Sequence, residues 1–345
     1  MADPMNRQIV LAARPHGEPK ESDLRFVEAP MPEAVPAKML LRTLYLSLDP
    51  YMRGRMSAGP SYVAATEIGA VMGGGTVCRV EASQIKEFAV GDFVEAFTGW
   101  QEYALSDGRG VRKLDPTIAP ITTALGVLGM PGLTAWTGLM NIGQPKAGET
   151  LVVAAASGAV GSVVGQLAKL KGCRAVGIAG GERKCQYVVD ELGFDACIDH
   201  RRSDFPEALK AACPKGIDIN FENVGGPVFD AVLPLLNTFA RVPLCGLIAH
   251  YNATELPAGV DRVPLLLRHM LTKRLTIRGF IYFDFASQQP DFLAEVGPLV
   301  RDGRIKYRED IVDGLENAPH ALIGLLRGEN FGKVIVRVSP EDQPG

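Results

Sequence analysis

The alternation of apolar and polar residues divides the chain into two parts. Up to about Ala124, short runs such as KMLLRTLYLSL and GTVCRV alternate in character and are broken by Gly and Pro. A period of two is typical of half-buried strands, so this part is predicted to be a twisted, mostly antiparallel β unit. From Gly126 onward, unbroken apolar runs alternate with helical periods, which predicts a parallel sheet covered by helices.

Six apolar runs in the second part are predicted strands. They cover residues 150–156, 174–179, 196–199, 217–222, 240–247 and 275–281, and helix-like stretches such as SVVGQLAKLKG separate them. Six strands in that alternation fit a complete doubly wound dinucleotide-binding domain. The tail NFGKVIVRVS, residues 330–339, is strand-like again and is expected to return to the first domain.

A turn of small residues follows the first of these strands. The stretch LVVAAASGAVGSVVGQLAKL, residues 151–170, places Ala156 where a dinucleotide fingerprint has its first Gly. The rest of the motif consists of Ser157, Gly158, Ala159, Val160 and Gly161. Gly158 allows the backbone to approach a pyrophosphate, Gly161 allows the helix to pack closely on the strand, and the helix N-terminus offers free N–H groups. Its place between a strand and a helix favours a dinucleotide site over packing alone.

The end of the second strand bears on the choice of dinucleotide. NAD sites place Asp or Glu there to bind the ribose 2′-hydroxyl. This chain has VGIAGGERK, with Gly180 and Gly181 followed by Arg183 and Lys184, which favours a 2′-phosphate. Glu182 is the residue that argues the other way, and the alternative is that the two cations only begin a solvated helix.

Composition and charge narrow the class of protein. The 345 residues are 47% hydrophobic, which is enough for two cores, and the formal net charge is −3 without a basic stripe, which argues against nucleic-acid binding. No apolar run reaches the roughly 18 residues of a membrane span, and the first residues lack a signal-peptide pattern. The six cysteines form no CxxC pair and are expected to be reduced. We expect a cytoplasmic protein.

Six stretches together resemble a known family. They are LSLDPYMRGRM, GWQEYALSD, LGMPGLTAWTGL, AAASGAVGSVVGQLAKLKGC, FENVGG and GENFGKVIV. In this order, over nearly the whole chain, they resemble the zinc-independent medium-chain reductases of the leukotriene B4 dehydrogenase, prostaglandin reductase and plant alkenal double-bond reductase group. The resemblance implies an α/β protein with a GroES-like β domain (1–125 and 312–345), a Rossmann domain (126–311), NADPH in the cleft between them, and a homodimer paired through the strand near 275–281.

The resemblance also assigns cofactor contacts. It implies a pyrophosphate at the glycine turn, the 2′-phosphate at Lys184, and Asn223 of FENVGG near the cofactor. The remaining implied contacts are Cys245, Gly246, Tyr251, Phe280, Ile281, Tyr282 and Asn330. His200, in CIDHR, stands where the family has Tyr in an IDY motif at the 2′-phosphate, so contact with the phosphate and a surface His that touches nothing are both open.

The candidate chemistry requires no metal. As Cys and His ligands, the first 125 residues of the β domain offer only Cys78 and His16, too few for a catalytic zinc site. Hydride must then go to a carbon that is already electrophilic, and the β-carbon of an α,β-unsaturated aldehyde or ketone meets that need. The resulting enolate requires hydrogen-bond donors, which the resemblance implies are the nicotinamide ribose hydroxyl and nearby Tyr251.

Two further residues are expected at the mouth of the cleft. In DPYMRGRM, Tyr51 is expected to line a pocket and Arg53 to attract a polar or carboxylate end; a tight loop with a stacked Tyr–Arg pair is the alternative. Two other functions also stay open at this stage. One is a zinc-free quinone reductase on the same fold, and the other is a non-catalytic NADPH-binding sensor or structural protein.

Overall fold

The computed structural model describes residues 5–33 and 35–341. Its strands are β1 (Met5–Leu11), β2 (Leu24–Pro30), β3 (Met39–Ser47), β4 (Thr76–Ser83), β5 (Phe93–Ala96), β6 (Tyr103–Ser106), β7 (Arg112–Lys113), β8 (Thr150–Ala154), β9 (Arg174–Ala179), β10 (Ala196–Asp199), β11 (Ile217–Phe221), β12 (Leu236–Leu244), β13 (Thr276–Gly279), β14 (Glu309–Asp313) and β15 (Lys333–Arg337). Its α-helices are α1 (Tyr51–Arg55), α2 (Met130–Thr137), α3 (Gly161–Leu170), α4 (Glu182–Asp190), α5 (Phe205–Ala212), α6 (Gly226–Val232), α7 (Val263–Lys273), α8 (Gln289–Arg301) and α9 (Ala318–Leu326).

The chain divides into two compact units. The β unit comprises Met1–Gly126 and Glu309–Gly345, and the α/β unit comprises Val127–Arg308. The domain limits predicted from the sequence, 125/126 and 311/312, fall beside these boundaries. Positions 1–4, 34 and 342–345 of the first predicted domain lie outside the described residues.

The β unit is built from strands that pair mostly in the antiparallel sense. Its larger sheet has the order β14-β15-β3-β4-β5-β7, with β6 also paired to β3, and β1 and β2 form a separate pair. The predicted return of the C-terminal tail is confirmed, because β15 pairs antiparallel with β3. The core includes Leu46, Trp100 and Val336, all 0% exposed.

A buried ion pair joins the N-terminal and C-terminal segments of the β unit. Lys333, on β15, donates from Nζ to the Leu48 carbonyl at 2.6 Å and to Asp49 Oδ1 at 2.9 Å. Asp49 also accepts from the Ser47 hydroxyl. Burial lowers the pKa of Lys333, and the Asp49 carboxylate opposes that shift. Because breaking such a pair leaves a buried charge unpaired, the contact fixes the place of β15 beside the end of β3.

The α/β unit contains a six-stranded parallel sheet. Its order is β10-β9-β8-β11-β12-β13, and the direction of winding reverses between β8 and β11. The predicted doubly wound sheet is therefore confirmed, and the six predicted runs correspond to its six strands. Strands covered on both faces are apolar along their whole length, which is why unbroken runs identified them.

Strands β8, β11 and β13 differ from their predicted limits by one or two residues at an end, and β12 differs most. β12 begins at Leu236 instead of residue 240 and ends at Leu244 instead of 247. Its early part was missed because the polar residues Asn237 and Thr238 interrupt the apolar run, and Phe239 after them is left-handed (φ 64°). It ends at Leu244, which forms a last parallel bridge with Glu222, and beyond this bridge Gly246 N also donates to the Glu222 carbonyl, at 3.1 Å.

Helix α3 packs on the sheet of the α/β unit through two glycines. A methyl group added at Gly161 would overlap the Ala155 carbonyl, and one added at Gly165 would overlap the ring of Phe194, which is itself 3% exposed. The helix therefore lies closer to β8 and its neighbours than any side chain at these positions would allow.

We expect Gly165→Ala to lower the free energy of unfolding by about 1–3 kcal/mol, the usual range for overpacking a tight core. Gly297→Ala is the matched control, because Gly297 also lies in a helix of this unit and a methyl group there meets nothing within 4 Å. That control is expected to be neutral or stabilising by up to about 1 kcal/mol. Urea denaturation of both variants measures the difference, and equal stabilities would contradict the packing argument.

Candidate active site

The glycine turn connects β8 to α3 with a strained residue at its start. Ala155 is left-handed (φ 54°), and its carbonyl accepts from Gly158 N at 2.9 Å. A non-Gly residue in this conformation costs on the order of 1–3 kcal/mol. The left-handed residue is thus one position before Ala156, which was predicted to hold the first fingerprint position. The turn redirects the chain from the strand into the helix with small residues throughout.

The turn offers main-chain donors at its tip. The N–H groups of Ala159 and Val160 make no hydrogen bond to other described residues, whereas Ser162 N donates to the Gly158 carbonyl at 3.0 Å. Helix α3 begins directly afterwards, at Gly161, and its N-terminal dipole favours an anion. A methyl group at Gly158 would stand 3.1 Å from the Ala155 carbonyl, so the turn stays bare. These features fit a pyrophosphate.

A group of cations surrounds the glycines at the end of β9. A methyl group at Gly180 would lie 3.1 Å from His200 Nε2 and 3.2 Å from Arg201 Nη2, so both side chains stand against this glycine. Asp199 Oδ1 fixes the arrangement by accepting from Gly181 N at 2.9 Å and from Arg201 N at 3.0 Å. The two loops after β9 and β10 are therefore held side by side.

Charges in this group act on His200. Burial and the positive charge of Arg201 hold the pKa of His200 below its ordinary value, and Lys184 acts in the same direction, while Asp199 opposes them. Lys184 thus adds its positive charge to that of Arg201, and we call these two residues with His200 the cationic group. Arg201 was not predicted, although it directly follows His200 in CIDHR; only the fold shows that it faces Gly180.

A pocket of about 430 Å³ lies at the ends of β12 and β13. The predicted contact residues that line it are Cys245, Gly246, Tyr251, Phe280 and Ile281. Leu247, within the predicted stretch 245–251, also lines it, whereas the lining residues Leu244, Gly279 and Asp284 were not predicted. The sequence motifs near 245–251 and 280–282 therefore converge on one cavity, because the carboxyl ends of parallel strands meet at the same edge of the sheet.

The hydroxyl of Tyr251 lies over the backbone of this pocket. It accepts from Leu247 N at 3.4 Å, and a methyl group at Gly246 would stand 3.1 Å from it. Only a glycine at 246 leaves the hydroxyl this close to the main chain. Burial raises the pKa of the Cys245 thiol to about 12, and the negative charge of Glu222 adds to that shift.

Asn223 connects the glycine turn to the pocket. Its Nδ2 donates to the Ala154 carbonyl at 2.9 Å, at the end of β8, and its carbonyl accepts from Ile248 N at 3.2 Å. Phe280 packs edge-on against Phe221, with ring centroids 6.1 Å apart. The ends of β8, β11 and β12 are therefore bound to one another around the candidate site.

Two more predicted contact residues are held by local contacts. Tyr282 begins the 3₁₀ turn Tyr282–Gln288, and its ring lies 4.2 Å from that of Phe283. Asn330 belongs to the β unit, where its Nδ2 donates to the Gly332 carbonyl at 2.8 Å. The contacts of both residues with a cofactor stay predictions.

The remaining predicted residues, Tyr51 and Arg53, also belong to the β unit. Arg53 is buried, and its guanidinium donates to Ser57 Oγ at 2.7 Å and to the Gly17 carbonyl at 2.8 Å. Burial lowers its pKa. The cation over the Tyr51 ring is Arg55, at 5.6 Å from the centroid. These contacts favour the tight-loop alternative for Arg53, with Arg55 as the stacking residue.

The described residues contain no group of three or more His, Cys, Asp or Glu side chains that could hold a metal ion. Cys78, one of the two candidate ligands in the β unit, is fully buried beside the hydroxyl of Thr76 at 3.3 Å, and burial raises the pKa of its thiol. Within residues 5–33 and 35–341, no helix has the length and apolar composition needed to cross a bilayer.

Comparison with known proteins places this geometry in a family. Two family models match, one described as the N-terminal domain of oxidoreductase over residues 7–114 and one as zinc-binding dehydrogenase over residues 159–296. The chain is 56% identical over 338 residues to the NADPH-dependent curcumin reductase of Escherichia coli (strain K12), which spans 98% of each protein.

Two further similarities extend over nearly the whole chain. The 2-alkenal reductase (NADP(+)-dependent) of Nicotiana tabacum is 41% identical over 342 residues, covering 97% of this chain and 98% of the relative. The crystal structure of CurA from Vibrio vulnificus in complex with NADPH superposes with a TM-score of 0.94 at 56% identity, covering 97% of this chain and 99% of that chain. With the glycine turn and the pocket on one sheet edge, these similarities show that the chain belongs to the NADP-dependent medium-chain dehydrogenase/reductase family.

Proposed function

We propose that this protein is an NADPH-dependent reductase that transfers hydride to the β-carbon of α,β-unsaturated aldehydes and ketones. The observation that carries the proposal is the single sheet edge that holds the bare glycine turn, the cationic group at Gly180 and the pocket at Cys245–Tyr251. The names of the curcumin and 2-alkenal reductases, 56% and 41% identical, support the same class of substrate.

The residues of the α/β unit divide the work of binding the cofactor. The donors of Ala159 and Val160 and the start of α3 suit the pyrophosphate. Lys184 and Arg201 suit the 2′-phosphate, with His200 packed beside them. Asn223 and Gly246 shape the backbone near the nicotinamide end. We propose these roles from the contacts described above.

NADPH supplies the hydride when it is bound, and the chain supplies orientation and electrostatics. As the β-carbon of the substrate accepts the hydride, negative charge develops on the carbonyl oxygen. We propose that the Tyr251 hydroxyl lies within the donor network for this oxygen, because it is held over Gly246 in the pocket. Phe280 and Ile281 supply apolar surface to the same cavity.

We propose that the reaction proceeds without a metal ion. The polarisation that a metal would give is not needed when the acceptor is a conjugated β-carbon. The β unit supports this view, because its only cysteine, Cys78, is surrounded by threonine hydroxyls and not by other ligands. The six cysteines are all free thiols, which fits the reducing cytoplasm in which we propose that the protein acts.

We expect the purified protein to oxidise NADPH when a simple enone is added, with deuterium from labelled NADPH found on the β-carbon of the product. Activity is expected to survive exhaustive chelation. Oxidation of NADPH by quinones alone, with semiquinone formed, would favour the quinone reductase. No oxidation by either enones or quinones would favour a non-catalytic binding protein.

Tyr251→Phe is expected to lower kcat while changing NADPH affinity less, because the hydroxyl acts on developing charge.

We expect Lys184→Ala and Arg201→Ala each to raise KM for NADPH about ten- to a hundredfold, since a charge-assisted hydrogen bond contributes roughly 1.5–3 kcal/mol. The KM for NADH and kcat are expected to stay nearly unchanged, because the contact is equally strong before and during hydride transfer. Steady-state kinetics with both cofactors measure this.

Arg183→Ala is the matched control for this cofactor test. Arg183 is an exposed cation beside Lys184 on the same turn of α4, so its replacement removes the same charge from a more exposed position. Its KM for NADPH is expected to change much less. Unaltered NADPH kinetics in Lys184→Ala, or a wild-type protein that uses NADH equally well, would contradict the proposed phosphate site.

We propose a homodimer that pairs through β13. This strand lies at the end of the six-stranded sheet, and its residues are exposed or half-exposed. Helix α7, packed against β12, exposes further apolar side chains, namely Val263, Leu265, Leu267 and Leu271. An apolar surface beside an unpaired strand edge favours association.

Light scattering at micromolar concentration is expected to give the mass of a dimer. Leu271→Glu is expected to shift the protein toward the monomer, because Leu271 is 79% exposed beside the proposed interface. Leu170→Glu, at an exposed position at the end of α3, is expected to keep the dimer. A wild-type monomer would rule out this interface.

A further inference from the structure

Glu222 carries a buried carboxylate that the proposed reaction does not use. The residue follows β11 directly and is 1% exposed. Its Oε1 accepts from Val224 N and from Gly225 N, both at 2.8 Å, and its Oε2 accepts from Asn220 Nδ2 at 2.9 Å. Among residues 5–33 and 35–341, no Lys or Arg forms a salt bridge with it. The charge is therefore stabilised by main-chain and amide donors. Burying a carboxylate without a cation beside it costs free energy, which suggests that this side chain has a role.

The main chain of Glu222 holds the end of β12. Its N–H donates to the Pro243 carbonyl at 2.9 Å, and its carbonyl accepts from Cys245 N at 2.9 Å and from Gly246 N at 3.1 Å. Cys245 and Gly246 both line the pocket. One residue thus fixes where β12 ends and where the pocket begins.

The turn shaped by the carboxylate holds the next part of the pocket. Gly225 and Gly226 are left-handed, with φ of 75° and 55°. Ala249 N donates to the Val224 carbonyl of this turn at 3.0 Å. A methyl group on Gly225 would stand 3.2 Å from the His250 ring. Segment 247–250, which precedes Tyr251, is therefore packed directly against a turn that the Glu222 side chain organises.

Glu222 also acts on the sulfur in the pocket. Burial raises the pKa of the Cys245 thiol, and the negative charge of Glu222 adds to that shift. The other titratable groups lining this cavity are Tyr251 and Asp284. A conjugated enone is an electrophile, and a thiolate would add to its β-carbon, forming a C–S bond while a proton from water goes to the α-carbon. Since the thiolate and not the thiol is the nucleophile, Cys245 reacts more slowly with such an electrophile while it is protonated.

We infer that Glu222 is the positioning residue of this pocket: it fixes the turn 223–226 and the segment 245–250, and its charge protects the Cys245 thiol from electrophiles that enter. The inference rests on the proposed function only for the identity of those electrophiles. The hydrogen bonds and the placement of Cys245 in the cavity do not depend on it.

Glu222→Gln separates the charge from the hydrogen bonds. Its side-chain oxygen can still accept from Val224 N and Gly225 N. Its NH2 group can donate to Asn220 Oδ1 once that amide rotates, and this buried oxygen has no partner among the described residues. We expect this variant to fold and to bind NADPH within about threefold of wild type, as measured by calorimetry. We expect iodoacetamide to label Cys245 at least about twofold faster than in the wild type, because the variant lacks the negative charge that disfavours the thiolate.

Glu222→Ala removes the hydrogen bonds as well, and we expect it to weaken NADPH binding about tenfold or more. Asp218→Asn is the matched control. Asp218 is an acidic residue on the same face of β11, but it accepts from Thr150 N and Asn237 Nδ2, away from the pocket. It is expected to leave both readouts unchanged. Peptide mass spectrometry assigns the label, with Cys245→Ser as the blank.

Two results would overturn the inference. Labelling of Cys245 at the wild-type rate in Glu222→Gln would remove the protective role, and wild-type NADPH affinity in Glu222→Ala would remove the positioning role. If Glu222→Ala does not fold, Glu222→Gln also tests the positioning role: NADPH binding within about threefold of wild type supports it, because the hydrogen bonds are kept, and binding weakened about tenfold contradicts it. Neither measurement needs turnover, so a protein that passes both and reduces no enone would contradict the proposed function and leave this inference standing.

Discussion

The approach of helix α3 to strand β8 is the constraint on which the α/β unit depends. No side chain fits at Gly161, where a methyl group would overlap the Ala155 carbonyl, or at Gly165, where Phe194 fills the space. The N-terminus of α3 is therefore directed at the carboxyl edge of the sheet. The loops after β9, β11 and β12 converge on that edge, so the helix N-terminus, the cationic group and the pocket share it.

Much of this fold could be predicted from the sequence because its signals are local. Strands such as β8 and β9 are covered on both faces and read as unbroken apolar runs. The glycine turn could be recognised because it needs small residues at fixed positions. The assignment of pocket residues depended more on family resemblance, since Cys245 and Phe280 are distant in the sequence and only the sheet order brings them together.

The features that were missed depend on tertiary contacts. Arg201 looks like any surface cation until Asp199 binds its main chain and turns it toward Gly180. Glu222 looks like an ordinary acidic residue at a strand end, although its carboxylate is enclosed. The sequence alone does not show whether Arg53 or Arg55 stacks on Tyr51. The backbone of α1 directs Arg55 to the ring and Arg53 to the Gly17 carbonyl.

The buried contact between Lys333 and Asp49 has a consequence for the order in which the protein assembles during synthesis. The two ends of that contact are separated by 284 positions along the chain. At translation rates of about 5–20 residues per second, β3 waits on the order of tens of seconds for β15. Throughout that interval the Asp49 carboxylate lacks its ammonium partner, while the α/β unit emerges complete. The α/β unit, in the middle of the chain, can therefore complete its contacts before the β unit, which contains the N-terminus.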